Sequence, residues 1–496
     1  MNSLDKLNFD NTFSNLPGCF YTRLNATALS NPELVCFSES AAQLLDLKDS
    51  PKTREKLTQT CSGNKILTGS SPLAMVYSGH QFGAYNPQLG DGRGLLLGEV
   101  INHHKEKWDL HLKGSGQTPY SRFGDGRAVL RSCIREYLGS EALYHLGIPT
   151  TRALCVITSD TPVYREKTEK GSTLLRLAKS HIRFGHFEYF YYTKQHEALK
   201  ILADYTIEQC FPDLMHEPDS YLLFFQKVVT RTAELIAQWQ AVGFAHGVMN
   251  SDNMSIIGDT FDYGPFGFMD DFNWHYICNH SDSQGRYAFS QQPDIGYWNC
   301  GRLAQALIPL VDNIEDLQTI INEYPQIYIK AYERLMAQKL GLHTKEDNDT
   351  NLIKDLLQLM HNSHCDYTHF FRSLSHFKPE QDSSGQGFSE KNNPYLQTLA
   401  DDCHLNPWLN NYSARLKRDA IDNHQRSIRM QQVNPKFILR NYLAQIAIDK
   451  AEEGDYSEIE KLMKVLQSPF SEHRDSEELA KVPPEWGKKL EISCSS

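Results

Sequence analysis

His246-Gly247-Val248-Met249-Asn250-Ser251-Asp252-Asn253, followed by Asp262-Tyr263-Gly264, is the stretch on which the fold of this chain turns. Asn253 and Asp262 offer two hard oxygen donors on neighbouring turns. Such a pair suits a cation such as Mg²⁺ whose remaining ligands are phosphate oxygens. Leu223–Gly243 leads into the loop, and its apolar positions, among them Val228, Val229, Leu235, Ile236 and Trp239, predict a core helix.

Upstream, Gln88-Leu89-Gly90-Asp91-Gly92-Arg93-Gly94 runs into the apolar strand Leu95–Val100. Read alone it is a glycine-rich hairpin turn; read with the strand lysine and helix glutamate downstream, it is a loop whose backbone approaches phosphate oxygens, with Arg93 as an added cation. Trp108–Lys113 alternates, with Trp108, Leu110 and Leu112 on one face and Asp109, His111 and Lys113 on the other, which predicts a strand ending in Lys113. Asp125, just before Gly126, is expected to cap a helix over Arg127–Leu146. On that helix both Glu136 and Glu141 project near the apolar stripe, so either carboxylate can meet Lys113. Pro149–Thr158, Pro162–Arg165 and Ser172–Leu177 read as three short strands. Arg176, Lys179, His181 and Arg183 fall within eight residues, either a solvated basic turn or an anion site.

Glycine loop, strand lysine, helix glutamate, the His246 loop and Asp262-Tyr263-Gly264 come in the order of the protein-kinase motifs, where the position of Glu136 is favoured over that of Glu141. The expected fold is α+β, a protein-kinase-like pair of lobes: a small, mostly antiparallel β lobe with one key helix, and a large helical lobe. The frame breaks at Val248, where a kinase has its catalytic base and where a valine cannot accept a proton. A displaced base, a kinase working from Asp252, or a nucleotide-binding pseudokinase scaffold all fit that break. Residues 1–72 are expected to be an N-terminal extension packed on the core and 73–186 the N-lobe. Residues 187–380 are read as the helical C-lobe, and 381–496 as a C-terminal helical extension, with a loop or linker at Ser383–Gly387 and helices over Asn434–Gly454 and Tyr456–Leu466.

The 496 residues carry a net charge of −11, which argues against a nucleic-acid surface. No apolar run reaches membrane-spanning length, and the start of the chain lacks the pattern of a secretory signal. The eleven cysteines show no zinc-like spacing and suit a reducing cytoplasm. A monomer with no membrane or nucleic-acid partner is expected.

Five segments sharpen the assignment: LAMVYSGHQFGAYNPQLGDGRG, LHLKGSGQTPYSRFGDGRAVLRSCIREYL, AHGVMNSDNMSIIGDTFDYGPFGFMD, NPKFILRNYLAQIAI and the terminal CSS. They resemble the selenoprotein O family of kinase-fold protein adenylyltransferases, over about residue 15 to the C-terminus. The resemblance implies ATP bound in reverse relative to kinases, with AMP passed to Ser, Thr or Tyr hydroxyls of proteins, the enzyme included, and pyrophosphate released. It implies that Gly90, Gly92, Arg93, Asp125 and Gly126 line the nucleotide site and that Lys113, Arg176 and Arg183 hold the inward phosphates, supported by Glu136. It further implies that Asn253 and Asp262 hold Mg²⁺ or Mn²⁺, with Asp262 also at the nucleotide, and that Asp252 is the base. Cys494 stands near the C-terminus as in bacterial members, and the resemblance implies a regulatory disulfide between it and Cys278.

Overall fold

The computed structural model describes residues 3–379, 405–419 and 421–492. Its first part is built on one antiparallel sheet. In chain order the strands are β1 (Tyr21–Arg23), β2 (Glu33–Phe37), β3 (Leu73–Met75), β4 (Gly79–Gln81), β5 (Ala84–Asn86), β6 (Gly94–Ile101), β7 (Lys107–Lys113), β8 (Ala128–Val129), β9 (Arg152–Tyr164) and β10 (Thr168–Ala178). The sheet runs β1-β3-β6-β7-β10-β9-β2, with β8 on β10, while β4 and β5 form a separate small hairpin. Residues 1–72, expected to lie over the core, thus supply both edge strands of the sheet. Two short helices, α1 (Glu39–Gln43) and α2 (Pro51–Cys61), lie between β2 and β3.

Leu95, Leu97, Leu110, Leu112 and Leu175 lie in one apolar cluster of the sheet with residues of the N-terminal segment. On β7, Asp109, His111 and Lys113 are also buried, so the alternation read in the sequence separates an apolar side from a buried polar one, rather than from solvent. The next helix, α3 (Leu130–His145), starts later than its sequence pattern suggests. Ala128 and Val129 are drawn into β8 against Ser172 and Gly171, which delays the helix, and Val129 precedes it without a side-chain cap. The two strands read at Pro149–Thr158 and Pro162–Arg165 are one, β9. Pro162 is accommodated opposite Lys170, beside a register shift that spares the missing N–H.

The remainder is helical: α4 (Phe184–Tyr192), α5 (His196–Cys210), α6 (Ser220–Val242), α7 (Gln292–Leu307), α8 (Ile314–Lys339), α9 (Asp349–Ser363) and α10 (Tyr367–Leu374). Helix α6 ends on Gly243 in the left-handed conformation, as its sequence predicts. Of the late helices, the one expected from Asn434 begins only at Asn441, because Pro435 holds Asn434 extended (φ −104°, ψ 102°). The helices Asn441–Glu452 and Ser457–Leu466 pack on α3. Ser383–Gly387 and Cys494 lie outside the described residues. Among the described residues no helix is long and apolar enough to cross a membrane.

Candidate active site

A cavity of about 530 Å³ opens between the sheet and the helical part. Gly90, Gly92, Arg93, Lys113, Asp125, Gly126, Arg176, Arg183, Val248, Asp252, Asn253 and Asp262 all line it. Residues from six separate stretches of sequence therefore line one cavity.

The buried polar side of the sheet supplies the cations. Lys113 Nζ lies 2.8 Å from Glu136 Oε2, and Arg176 donates to the same carboxylate through Nε and, at 3.0 Å, through Nη2. Glu141 is taken by Arg152 at 2.8 Å through both oxygens, which settles the helix register in favour of Glu136. Burial lowers the Lys113 ammonium below the ordinary lysine value, with the Glu136 carboxylate opposing that shift. Arg176 Nη1 reaches Asp262 Oδ1 at 2.9 Å, and Arg183 binds the other oxygen of Asp262. Burial alone would raise the Asp262 carboxyl; the Arg183 and Arg176 guanidiniums outweigh it and hold the group far below the usual carboxylate range. Asp262 is therefore tied into a buried ion network rather than being a loop residue of little structural weight.

Its own conformation and the contacts of the two residues before it hold Asp262 in place. Its backbone is left-handed (φ 57°), a conformation Asp tolerates better than most residues. The preceding carbonyl, of Phe261, accepts from His246 Nε2 at 3.0 Å, and His246 stacks on Trp239 of α6. On the other side Thr260 pairs with Thr150, at the start of the sheet's β9 arm.

The turn Ser251–Asn253 is fixed as firmly. Asn253 Nδ2 donates to the Val248 carbonyl at 2.9 Å, which leaves Oδ1 outside that bond. Asp252 is buried, accepts from Gln81 Nε2 at 3.2 Å, and has no partner for Oδ1 among the described residues. Burial pushes its carboxyl up to about 7. The hairpin β4–β5 clamps this turn at consecutive residues: the His80 N–H donates to Ser251 Oγ at 2.6 Å, and the Phe82 N–H to Asn250 Oδ1 at 3.3 Å. A Cβ on Gly79 would fall 2.8 Å from that of Asp252.

Asp125 does not cap α3. It accepts from the Arg127 N–H at 2.9 Å and pairs with Arg165 at 2.8 Å, on a loop at the rim. The glycines of the 88–94 loop serve packing as well as access: a Cβ on Gly90 would fall 2.6 Å from the Tyr120 ring, and one on Gly92 2.8 Å from the Tyr120 carbonyl. The sequence reading missed Asp91. Buried between those glycines, it accepts from the Met75 N–H at 3.0 Å and faces His111 at 3.3 Å. It missed the β4–β5 hairpin too, whose only signal is the glycine spacing around Gly79 and Gly83.

The cavity, lined by cations, carboxylates and close-packed glycines, is the candidate active site. Residues 3–467 match the family model described as Protein adenylyltransferase SelO. The chain is 53% identical to the Protein nucleotidyltransferase YdiU of Pseudomonas fluorescens (strain Pf0-1), over the full length of both. It is 54% identical to the protein of that name from Pseudomonas fluorescens strain Pf-5 and 52% identical to that from Pseudomonas aeruginosa PAO1, again over the whole of each chain. The chain is a nucleotidyltransferase and belongs to the SelO family of protein adenylyltransferases.

Proposed function

We propose that the enzyme moves AMP from ATP to a Ser, Thr or Tyr hydroxyl of a protein, itself included, within a kinase-like pair of lobes and with ATP reversed relative to kinases. The observation that carries this is the charge at the buried wall of the cavity. Among the described residues Lys113, Arg176 and Arg183 form direct ion pairs with two carboxylates, Glu136 and Asp262, and with Arg93 and His111 also in the lining the cations gather where the β- and γ-phosphates would lie. In that orientation the α-phosphate faces the Ser251–Asn253 turn. The acceptor oxygen bonds to the α-phosphorus, the bond to the β-bridging oxygen breaks, and pyrophosphate leaves with that electron pair. Asp252 takes the hydroxyl proton, since Val248 offers only methyl groups and Asp252 is buried with an oxygen unspoken for.

Asn253 Oδ1 and the Asp262 carboxylate are a hard-oxygen pair that fits Mg²⁺ or Mn²⁺, provided Asp262 exchanges one arginine contact for the ion. A bound ion would neutralise phosphate charge. Incubation with α-labelled and with γ-labelled ATP is the deciding experiment: α-label on protein is expected, and γ-label without α-label would overturn the proposal.

Redox control through Cys278 and Cys494 belongs to the same reading. Ile492, two residues before Cys494, exchanges hydrogen bonds with His280, two residues after Cys278: the His280 N–H donates to the Ile492 carbonyl at 2.9 Å. Reduction is expected to raise the adenylylation rate, and a Cys494→Ser enzyme with the same redox response as the parent would end this part of the proposal.

A further inference from the structure

A second depression, of about 490 Å³, lies beside the first and shares Phe82 with it. Phe82 is the tip of the β4–β5 hairpin, and three features mark it. Its backbone is left-handed (φ 51°), unusual for a bulky residue. The residue is 46% exposed, although its ring packs at 5.2 Å from that of Tyr287. Its N–H is held by Tyr287 Oη at 2.9 Å, on the chain that floors the second depression. An aromatic ring is thus propped up, at the cost of strain, between the catalytic cavity and its neighbour.

The charge of the neighbour is as pointed. Arg286 lines it and packs against the hairpin at Gly83. The closest acid in sequence, Asp282, spends its carboxylate on the backbone N–H groups of Arg286 (3.0 Å) and Tyr287 (2.7 Å). Among the described residues the Arg286 guanidinium makes no ion pair; it stacks on Trp298 at 4.8 Å, where Arg302 also stacks at 5.0 Å, and its Nε is buried without a partner. In a protein of net charge −11, whose buried arginines elsewhere in the site are matched to carboxylates, the Arg286 guanidinium is left for something that arrives.

We infer that the second depression seats the acceptor segment of the protein substrate, with Phe82 as its aromatic wall and Arg286 as counter-ion to an acidic side chain near the modified hydroxyl. The inference rests on the proposed transfer to proteins. Spacing follows from the hairpin. Gln81 reaches Asp252 through its side-chain amide and Gly83 lies against Arg286, and their α-carbons are at most about 7 Å apart, the repeat of side chains two positions apart on one face of an extended chain. An extended acceptor with its hydroxyl at Asp252 therefore brings the side chain two positions away to Arg286. The preferred acceptor carries Asp or Glu there.

The test uses the full-length enzyme and three fluorescent peptides, each with one hydroxyl residue and with Glu, Gln or Lys two positions from it. Binding is followed by anisotropy, and transfer is read separately with α-labelled ATP. The Glu peptide is expected to bind about five-fold more tightly than the Gln peptide, as a half-exposed ion pair allows. Arg286→Ala should erase that preference, Arg286→Glu should turn it toward the Lys peptide, and Phe82→Ala should weaken all three alike. The KM for ATP should stay unchanged in the Arg286 variants. Equal binding of the three peptides, no binding of any, or a preference that survives Arg286→Ala would overturn the inference. Absence of α-label on every protein, the enzyme included, would instead sink the transfer reaction, whatever the peptides do.

Discussion

Glu136 and Glu141 sit on the same helix, both buried, and answer to different cations. Glu136→Gln is expected to cut AMP transfer roughly 100-fold, because Lys113 and Arg176 lose the group that aims them. Glu141→Gln strands the buried Arg152 and should cost about 3–5 kcal/mol of stability, with far less effect on turnover per folded molecule. Rates with α-labelled ATP set beside denaturation curves separate the two. A helical wheel leaves both open because both lie at the margin of the stripe; a partner on a distant strand decides, and no local pattern encodes it. Asp262→Ala is expected to lose transfer and also to melt earlier than the parent. It removes the carboxylate shared by Arg176 and Arg183, contrary to what a surface loop suggests. A thermal scan showing an unchanged midpoint would contradict that. Asp252→Asn should lower kcat by about 100-fold or more while leaving the KM for ATP near that of the parent, since the group acts on the hydroxyl.

Among the elements, the β4–β5 hairpin was the least legible. Its strands are three residues each, too short for an alternating pattern, and its partners are the side chains of Asn250, Ser251 and Asp252 far along the chain. By contrast β6, β7 and α6 were readable, because each has an apolar periodicity long enough to declare itself. The start of α3 was misplaced for the reason that defeats most boundary readings: β-pairing outbid a local cap, here at Ala128 and Val129. The hairpin yields a sharp prediction. Gly79→Ala would press a methyl against Asp252, and its turnover should fall roughly 10- to 100-fold as the proposed base is displaced, with ATP affinity little changed. Steady-state kinetics with ATP varied would show a raised KM instead if the hairpin served the nucleotide.

At the scale of the whole molecule, the order of the kinase-like motifs made the meeting of Lys113, Glu136, Asn253 and Asp262 foreseeable, whereas the second depression, built from residues 82 and 275–295, left no mark in the sequence. Stability holds a further prediction. Lys339, at the end of α8, is buried against the rings of Tyr367 and Phe371, and burial lowers its ammonium to about 7. In the unfolded chain it titrates near the usual lysine value of about 10.4. Between these pH values the unfolded state holds the extra proton, so this lysine's contribution to stability improves as pH rises and is worst below 7. Lys339→Met should therefore stabilise the protein by a few kcal/mol at pH 6 and by progressively less toward pH 10, as melting curves across that range would register. One feature of the architecture bears on the life of the protein at the ribosome. Helix α3, which carries Glu136, is covered by Asn441–Glu452 and Ser457–Leu466, and these follow every cavity-lining residue named above in chain order. A nascent chain holds every group of the transfer site long before it holds the cover of the helix that aligns them. The alignment of Glu136 thus depends on packing from a segment far along the chain, and α3 is fully covered only once that segment has docked.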